Sequence, residues 1–131
     1  MTRILLVEPN TIFTQMYKQA LESSGYNVEV VQTAQAAISA ADKKMPDGII
    51  LELQMADHNG IEFLYEFRSY PEWQSIPVII HSFIPQTEFI DNTMAWEDLS
   101  LGEYLYKPRT TLDQLLKIVR EQVPTLVRQK I

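Results

Sequence analysis

Cysteine is absent from the 131 residues, which excludes disulfides, thiolate nucleophiles and zinc–thiolate sites and agrees with a reducing compartment. Long apolar runs are missing as well. The N-terminal stretch "MTRILLVEPN" has too short an apolar core for a signal sequence, and nothing later approaches the roughly 20 apolar residues a membrane span requires. The expectation is a soluble, cytoplasmic chain that does not enter a membrane. Positive charge is scarce: eleven Lys and Arg against seventeen Asp and Glu leave a net charge of -6. Such a domain repels phosphate backbones, so nucleic acid is not an expected partner, and the plain consequence of the acidity is solubility. There is no glycine-rich phosphate loop, no Ser-His-Asp order and no nucleophile elbow. The residues therefore do not describe an independent enzyme.

What is present is an alternation of two patterns over a length suited to one domain, residues 1–124, followed by a short tail at 125–131. "RILLV", "NVEVV", "DGIILEL", "IPVIIHSF" and "EYLY" read as strands. Between them the apolar spacing becomes helical. Asn10 or Thr11 can cap a first helix carrying Ile12, Phe13, Met16, Ala20 and Leu21, closed by Gly25. Thr33 opens a second with Ala34, Ala37, Ile38 and Ala41, and Ile61, Leu64, Tyr65 and Phe67 mark a third. Phe89, Ile90, Met94 and Leu99 give a fourth, and Thr110 with Asp113 resembles a capping box for a last helix built on Leu112, Leu115, Leu116, Val119 and Val123. Connections of this length force parallel pairing through right-handed crossovers. The fold class is α/β, a doubly wound five-stranded parallel sheet with helices on both faces.

In such a sheet ligands gather beyond the carboxyl ends of the strands. Those ends carry Glu8, Glu52, Ser82 and Lys107. Glu52 closes the most apolar strand, and an apolar interior disfavours an unpaired carboxylate. It must reach solvent, find a cationic partner or do chemistry. His58 and His81 lack any spacing that would pair them at a metal, and both read as structural. Trp73 and Trp96 read as core or incidental surface rather than interface anchors.

With "ILLVEPN", "PDGIILELQMADHNGIEFL", "IPVIIHSF" and "EYLYKP" in this order, the chain resembles the response-regulator receiver (CheY-like) family over nearly its whole length. The resemblance implies a flavodoxin-like fold and a place in two-component phosphorelay signal transduction. In that family an aspartate ending the third strand takes a phosphoryl group from a histidine kinase. Two acidic residues after the first strand help hold Mg²⁺, and a Ser or Thr and a Lys contact the phosphoryl oxygens. By position, Glu52 stands at the phosphoacceptor, Glu8 and Pro9 at the acidic pair, Ser82 at the hydroxyl switch and Lys107 at the lysine. Tyr104 stands at the aromatic that changes rotamer, and the Lys107–Pro108 bond at the family's cis peptide.

The departures decide the functional expectation. Pro9 has no side-chain oxygen to offer Mg²⁺, Glu52 is one methylene longer than aspartate, and Phe83 follows the switch where the family usually has a small residue. No cofactor is expected, and Mg²⁺ is disfavoured. The expected function is a degenerate receiver, or pseudo-receiver, working by protein–protein interaction, with Lys107 meeting Glu52 or Glu8 in place of the missing cation. Such a pair would either mimic the phosphorylated state or seal the pocket. The alternatives are a phosphorylatable receiver using Glu52 or Asp57 with relaxed geometry, and a scaffold that no longer signals. Expected partners are a histidine kinase, an output domain or a second copy, through a surface that includes Tyr104, Tyr106 and Trp96.

Overall fold

The structure, a computed structural model, describes residues 1–56, 60–89 and 102–125. The strands among the described residues are β1 (Arg3–Val7), β2 (Asn27–Val31), β3 (Gly48–Leu51), β4 (Val78–Ser82) and β5 (Glu103–Tyr106). They pair in the order β2-β1-β3-β4-β5, every neighbour parallel. Side chains alternate across the sheet, so each central strand feeds two cores. Leu5, Val7, Ile49, Leu51, Val78 and Ile80 belong to one cluster. Ile4, Leu6, Ile50 and Ile79 belong to the other.

Helices α1 (Thr11–Ser23), α2 (Ala34–Lys43), α3 (Gly60–Arg68), α4 (Gln86–Phe89) and α5 (Leu112–Gln122) complete the alternation. The first cluster is closed by Ala34, Ala37 and Ala41 of α2 and Phe63, Leu64 and Phe67 of α3. The second is closed by Tyr17 and Leu21 of α1 and Leu115 and Val119 of α5. Helices thus cover both faces, as the doubly wound reading requires. Asn10 and Thr33 cap α1 and α2 through their side-chain oxygens. Gly25 follows the C-cap of α1 with φ 97°, a conformation that L side chains seldom adopt.

Several local expectations are corrected. The buried stripe of α1 is Thr14, Tyr17 and Leu21, whereas Ile12 and Met16 are exposed. Apolar periodicity passes over Thr14, yet its hydroxyl donates to the Thr11 carbonyl at 2.8 Å and so enters the interior already satisfied. Tyr65 of α3 is exposed in the same way. The capping box of α5 is Thr111 with Gln114, one residue beyond the expected pair. Thr110 instead donates its hydroxyl to the Tyr106 carbonyl at 2.8 Å. No cis peptide occurs among the described residues: Pro108 sits at the start of a 3-10 turn, Lys107–Arg109, where its missing N–H is not needed.

Trp73 lies in the core, its ring stacked on Phe67 with centroids 4.9 Å apart. Ile90, Met94, Trp96 and Leu99, like Asp57 and His58, fall outside the described residues, so the expectations placed on them find no answer in the fold. No helix among the described residues is long and apolar enough to cross a membrane.

Candidate functional site

Parallel pairing delivers every strand's carboxyl end to one edge of the sheet. The ladder continues one residue past β1 and β3, with the Glu8 amide donating to Val31 and the Glu52 amide to Val7, each at 3.0 Å. Two carboxylates are thereby held side by side. Ser82 ends β4 and Lys107 follows β5, and the strand order makes β1, β3, β4 and β5 successive neighbours. Glu8 and Glu52 are each only 3% exposed, Lys107 7% and Ser82 0%. The Gly60 amide donates to Leu53 at 2.7 Å, and a Cβ there would come within 2.7 Å of the Leu53 Cα. Only glycine lets α3 begin so close to the chain leaving Glu52.

Every oxygen of the buried carboxylates is engaged. Glu52 Oε1 accepts from Lys107 Nζ at 2.9 Å and from the Phe83 amide at 3.2 Å. Oε2 accepts from the Ser82 hydroxyl and from the Gln54 amide at 3.1 Å. Lys107 Nζ also donates to Glu8 Oε1, while Glu8 Oε2 accepts from the Asn10 amide at 3.1 Å. Ser82 Oγ in turn accepts from the Ile84 amide at 3.0 Å. Burial raises the cost of ionising Glu52, but donation from Ser82 and Lys107, the lysine's charge and the Gln54 amide outweigh it and hold the carboxyl below its ordinary value.

Aromatic rings wall this cluster. Lys107 Nζ lies 4.8 Å from the Phe83 ring centroid and 5.5 Å from that of Phe13. The Tyr104 hydroxyl donates to the Ile84 carbonyl, and its ring is buried. Burial, with the nearby charges of Glu52 and Glu88, pushes its phenol up to about 12. Tyr17 is likewise raised to about 12 by burial and by Glu8 and Glu52. Its ring meets that of His81 edge-on at 5.2 Å. Burial and the Lys107 charge press His81 down to about 4, against a smaller opposite pull from Glu52. His81 is therefore neutral near pH 7, with its ring packed against an aromatic neighbour.

The structure thus brings Glu8, Glu52, Ser82 and Lys107 into one network and sets Tyr104 beside it through Ile84. Pro9 sits half-buried between Glu8 and the Asn10 cap and adds no donor or acceptor side chain. Phe13 is a member of the site that helical periodicity assigned only to packing. The amides of Phe83 and Gln54 carry no signal in the sequence at all, because any residue type supplies them. A Mg²⁺ ion needs near-octahedral oxygen ligation. The donor set here is two carboxylates already bridged by an ammonium, with Pro9 in place of a third, and it does not fit that ion.

Residues 4–120 match the family described as the response regulator receiver domain. Among curated proteins, the KDP operon transcriptional regulatory protein KdpE of Escherichia coli is 35% identical over 108 residues, 82% of this chain and 45% of its own length. The probable transcriptional regulatory protein TcrX of Mycobacterium tuberculosis is 24% identical over 88% of this chain and 47% of its own length. The chain spans about half the length of these curated relatives. Of solved structures, the chemotaxis protein CheY4 of Vibrio cholerae superposes with a TM-score of 0.82 at 24% identity, covering 93% of this chain and 98% of that one. A CheY-like receiver domain protein of Methanospirillum hungatei gives 0.83 at 21% identity, covering 98% of each.

Proposed function

The chain belongs to the response regulator receiver domain family, and on that premise we propose that it serves two-component signalling as an interaction domain whose own Glu52 holds it in a fixed, phosphorylated-like state. One observation carries the reading. The Glu52 carboxylate accepts at once from the Ser82 hydroxyl and the Lys107 ammonium, the two groups that in the receiver family contact phosphoryl oxygens. The extra methylene moves the carboxylate outward along that direction. It thereby carries its two acceptor oxygens one methylene further out than an unmodified aspartate would, in the direction in which a phosphoryl group extends.

The neighbouring geometry supports the same state. With Ser82 drawn onto Glu52 and its oxygen held by the Ile84 amide, the adjoining Ile84 carbonyl receives the Tyr104 hydroxyl. The aromatic at the family's rotamer-switch position is thus turned inward. Lys107 stands where cationic charge is needed, between Glu8 and Glu52, so the state calls for no metal ion. The partner would read the surface of β5 and α5 around the half-buried Tyr106, while Tyr104, buried, is not itself presented there, and a histidine kinase, an output domain and a second copy are the partner classes to test.

Transfer of a phosphoryl group to Glu52 is disfavoured by the same contacts. In-line transfer is sensitive to displacements of about 1 Å, and the acceptor oxygens are already engaged by four donors. Incubating the protein with acetyl phosphate and Mg²⁺ should leave its intact mass unchanged. A stoichiometric phosphoryl adduct mapped to Glu52 or Asp57 overturns the reading in favour of a phosphorylatable receiver.

A further inference from the structure

The Lys107 ammonium is polar on one side and aromatic on the other. Toward the sheet edge it donates to Glu8 and Glu52. Away from them it faces two rings, those of Phe83 and Phe13, whose centroids are 6.0 Å apart. The rings come from different elements. Phe83 leaves the end of β4 and is 43% exposed, while Phe13 lies in the first turn of α1 and is half-buried. Phe13 in turn stacks near Tyr17 at 6.0 Å, which ties it to the core beneath α1.

An aliphatic side chain could exclude water from this place but could not attract the charge. An aromatic face does both, because its negative quadrupole points at the cation. Here two carboxylates and two ring faces surround it.

We propose that Phe13 and Phe83 form a two-ring cation lid that positions Lys107 on Glu8 and Glu52 and shields it from solvent, so that the fixed state depends on the lid as well as on the acids. This rests on the reading of Glu52 given above and adds to it a regulatory part. Phe83 is then a positioning residue: its half-exposed ring is the outer wall of the switch, and turning that ring outward uncovers the lysine. Through Phe13 the lid is also anchored on α1, so the first helix is coupled to the charge network.

Reductive methylation of the intact, folded protein with formaldehyde and a borohydride tests the lid, with Lys18 and Lys43 as exposed internal references and peptide mass spectrometry as the readout. Lys107 should react more slowly than either reference. Phe83→Ala should accelerate its methylation by roughly two- to thirty-fold, the range spanned by an exposed and a desolvated cation–ring contact. Phe13→Ala should act in the same direction. Phe83→Tyr should keep the protection, whereas Phe83→Leu, which covers without a ring face, should lose most of it. Unfolding midpoints of each variant separate local uncovering from loss of fold, and the half-exposed Tyr and Leu variants keep the comparison available if either alanine variant unfolds. Unchanged protection in the folded Ala and Leu variants overturns the lid, and so does equal protection by leucine and phenylalanine. A phosphoryl adduct on the unaltered protein would instead overturn the signalling reading and leave the lid standing.

Discussion

Two of the buried cations among the described residues, Arg68 and Lys107, are held by opposite means. Arg68, at the end of α3, is 8% exposed. It donates to the main-chain carbonyls of Trp73 at 2.6 Å and Ile76 at 2.8 Å, and it lies 5.6 Å from the Phe67 ring centroid. These carbonyl partners are 5 and 8 residues away. Lys107, 7% exposed, is held by carboxylates 99 and 55 residues distant. The arginine stitches a local corner together, and its planar fork suits two carbonyls. The lysine exists as a buried charge only if three strand ends arrive together. The first arrangement joins one local turn, whereas the second joins the ends of three strands.

The largest effect should come from removing the lysine. Lys107→Met leaves Glu8 and Glu52 buried against each other and should cost about 3–5 kcal/mol of unfolding free energy, the usual loss when one partner of a buried ion pair is taken away. Urea unfolding measures it. Replacing Glu8, Glu52 and Lys107 together by apolar residues of similar volume should recover most of that loss, because no uncompensated charge remains. If the single variant were as stable as the parent, the lysine would be no different in kind from a surface charge.

A second test uses pH. His81 has a folded-state value of about 4 against an ordinary 6.5, so between these values the unfolded chain binds the proton and the folded chain does not. Stability should therefore fall as pH drops from 6.5 towards 4, by up to about 3 kcal/mol, and His81→Phe should flatten that part of the profile. Glu52 acts lower on the scale. Its depressed value means that its contribution is present above the ordinary carboxylate range and is lost as pH falls through the folded-state value. The two groups consequently separate along one titration followed by thermal unfolding.

The smallest effect belongs to the arginine. Arg68→Met should cost about 1–3 kcal/mol through the loss of its bonds to the Ile76 carbonyl and to the Trp73 carbonyl, which keeps only the Ile76 amide, while the methylation rate of Lys107 stays at the parent value. A change at Lys107 would break the contrast between a local stitch and a join between strand ends.

Much of this was legible in the chain. Five apolar runs separated by helical spacing lead to a parallel doubly wound sheet, because connections long enough to hold a helix return each strand parallel to the last. The four strand-end residues could be picked out before any coordinates, since strand ends in such a sheet converge. What was not legible is instructive. Ile12 and Met16 outrank Thr14 by hydropathy, yet Thr14 is inside because its hydroxyl is satisfied within its own helix turn. Thr110 and Thr111 are the same residue type one step apart, and only the backbone path decides which caps α5. Arg68 gave no sign of burial, because its partners are carbonyls that every residue carries.

For the functional edge the division is sharper. The covalent facts lie in the sequence alone: a carboxylate one methylene longer than aspartate at residue 52, no oxygen at Pro9, a ring at Phe83 and a lysine at 107. The choice between Glu8 and Glu52 as partner of that lysine was decided only by the tertiary structure, and the answer is both. The same holds for the Phe13 ring over its ammonium and the inward Tyr104. The reason is physical. Residue type is a property of one position, whereas a hydrogen bond between positions 8, 52 and 107 depends on distances set by the packing and register of β1, β3, β4 and β5.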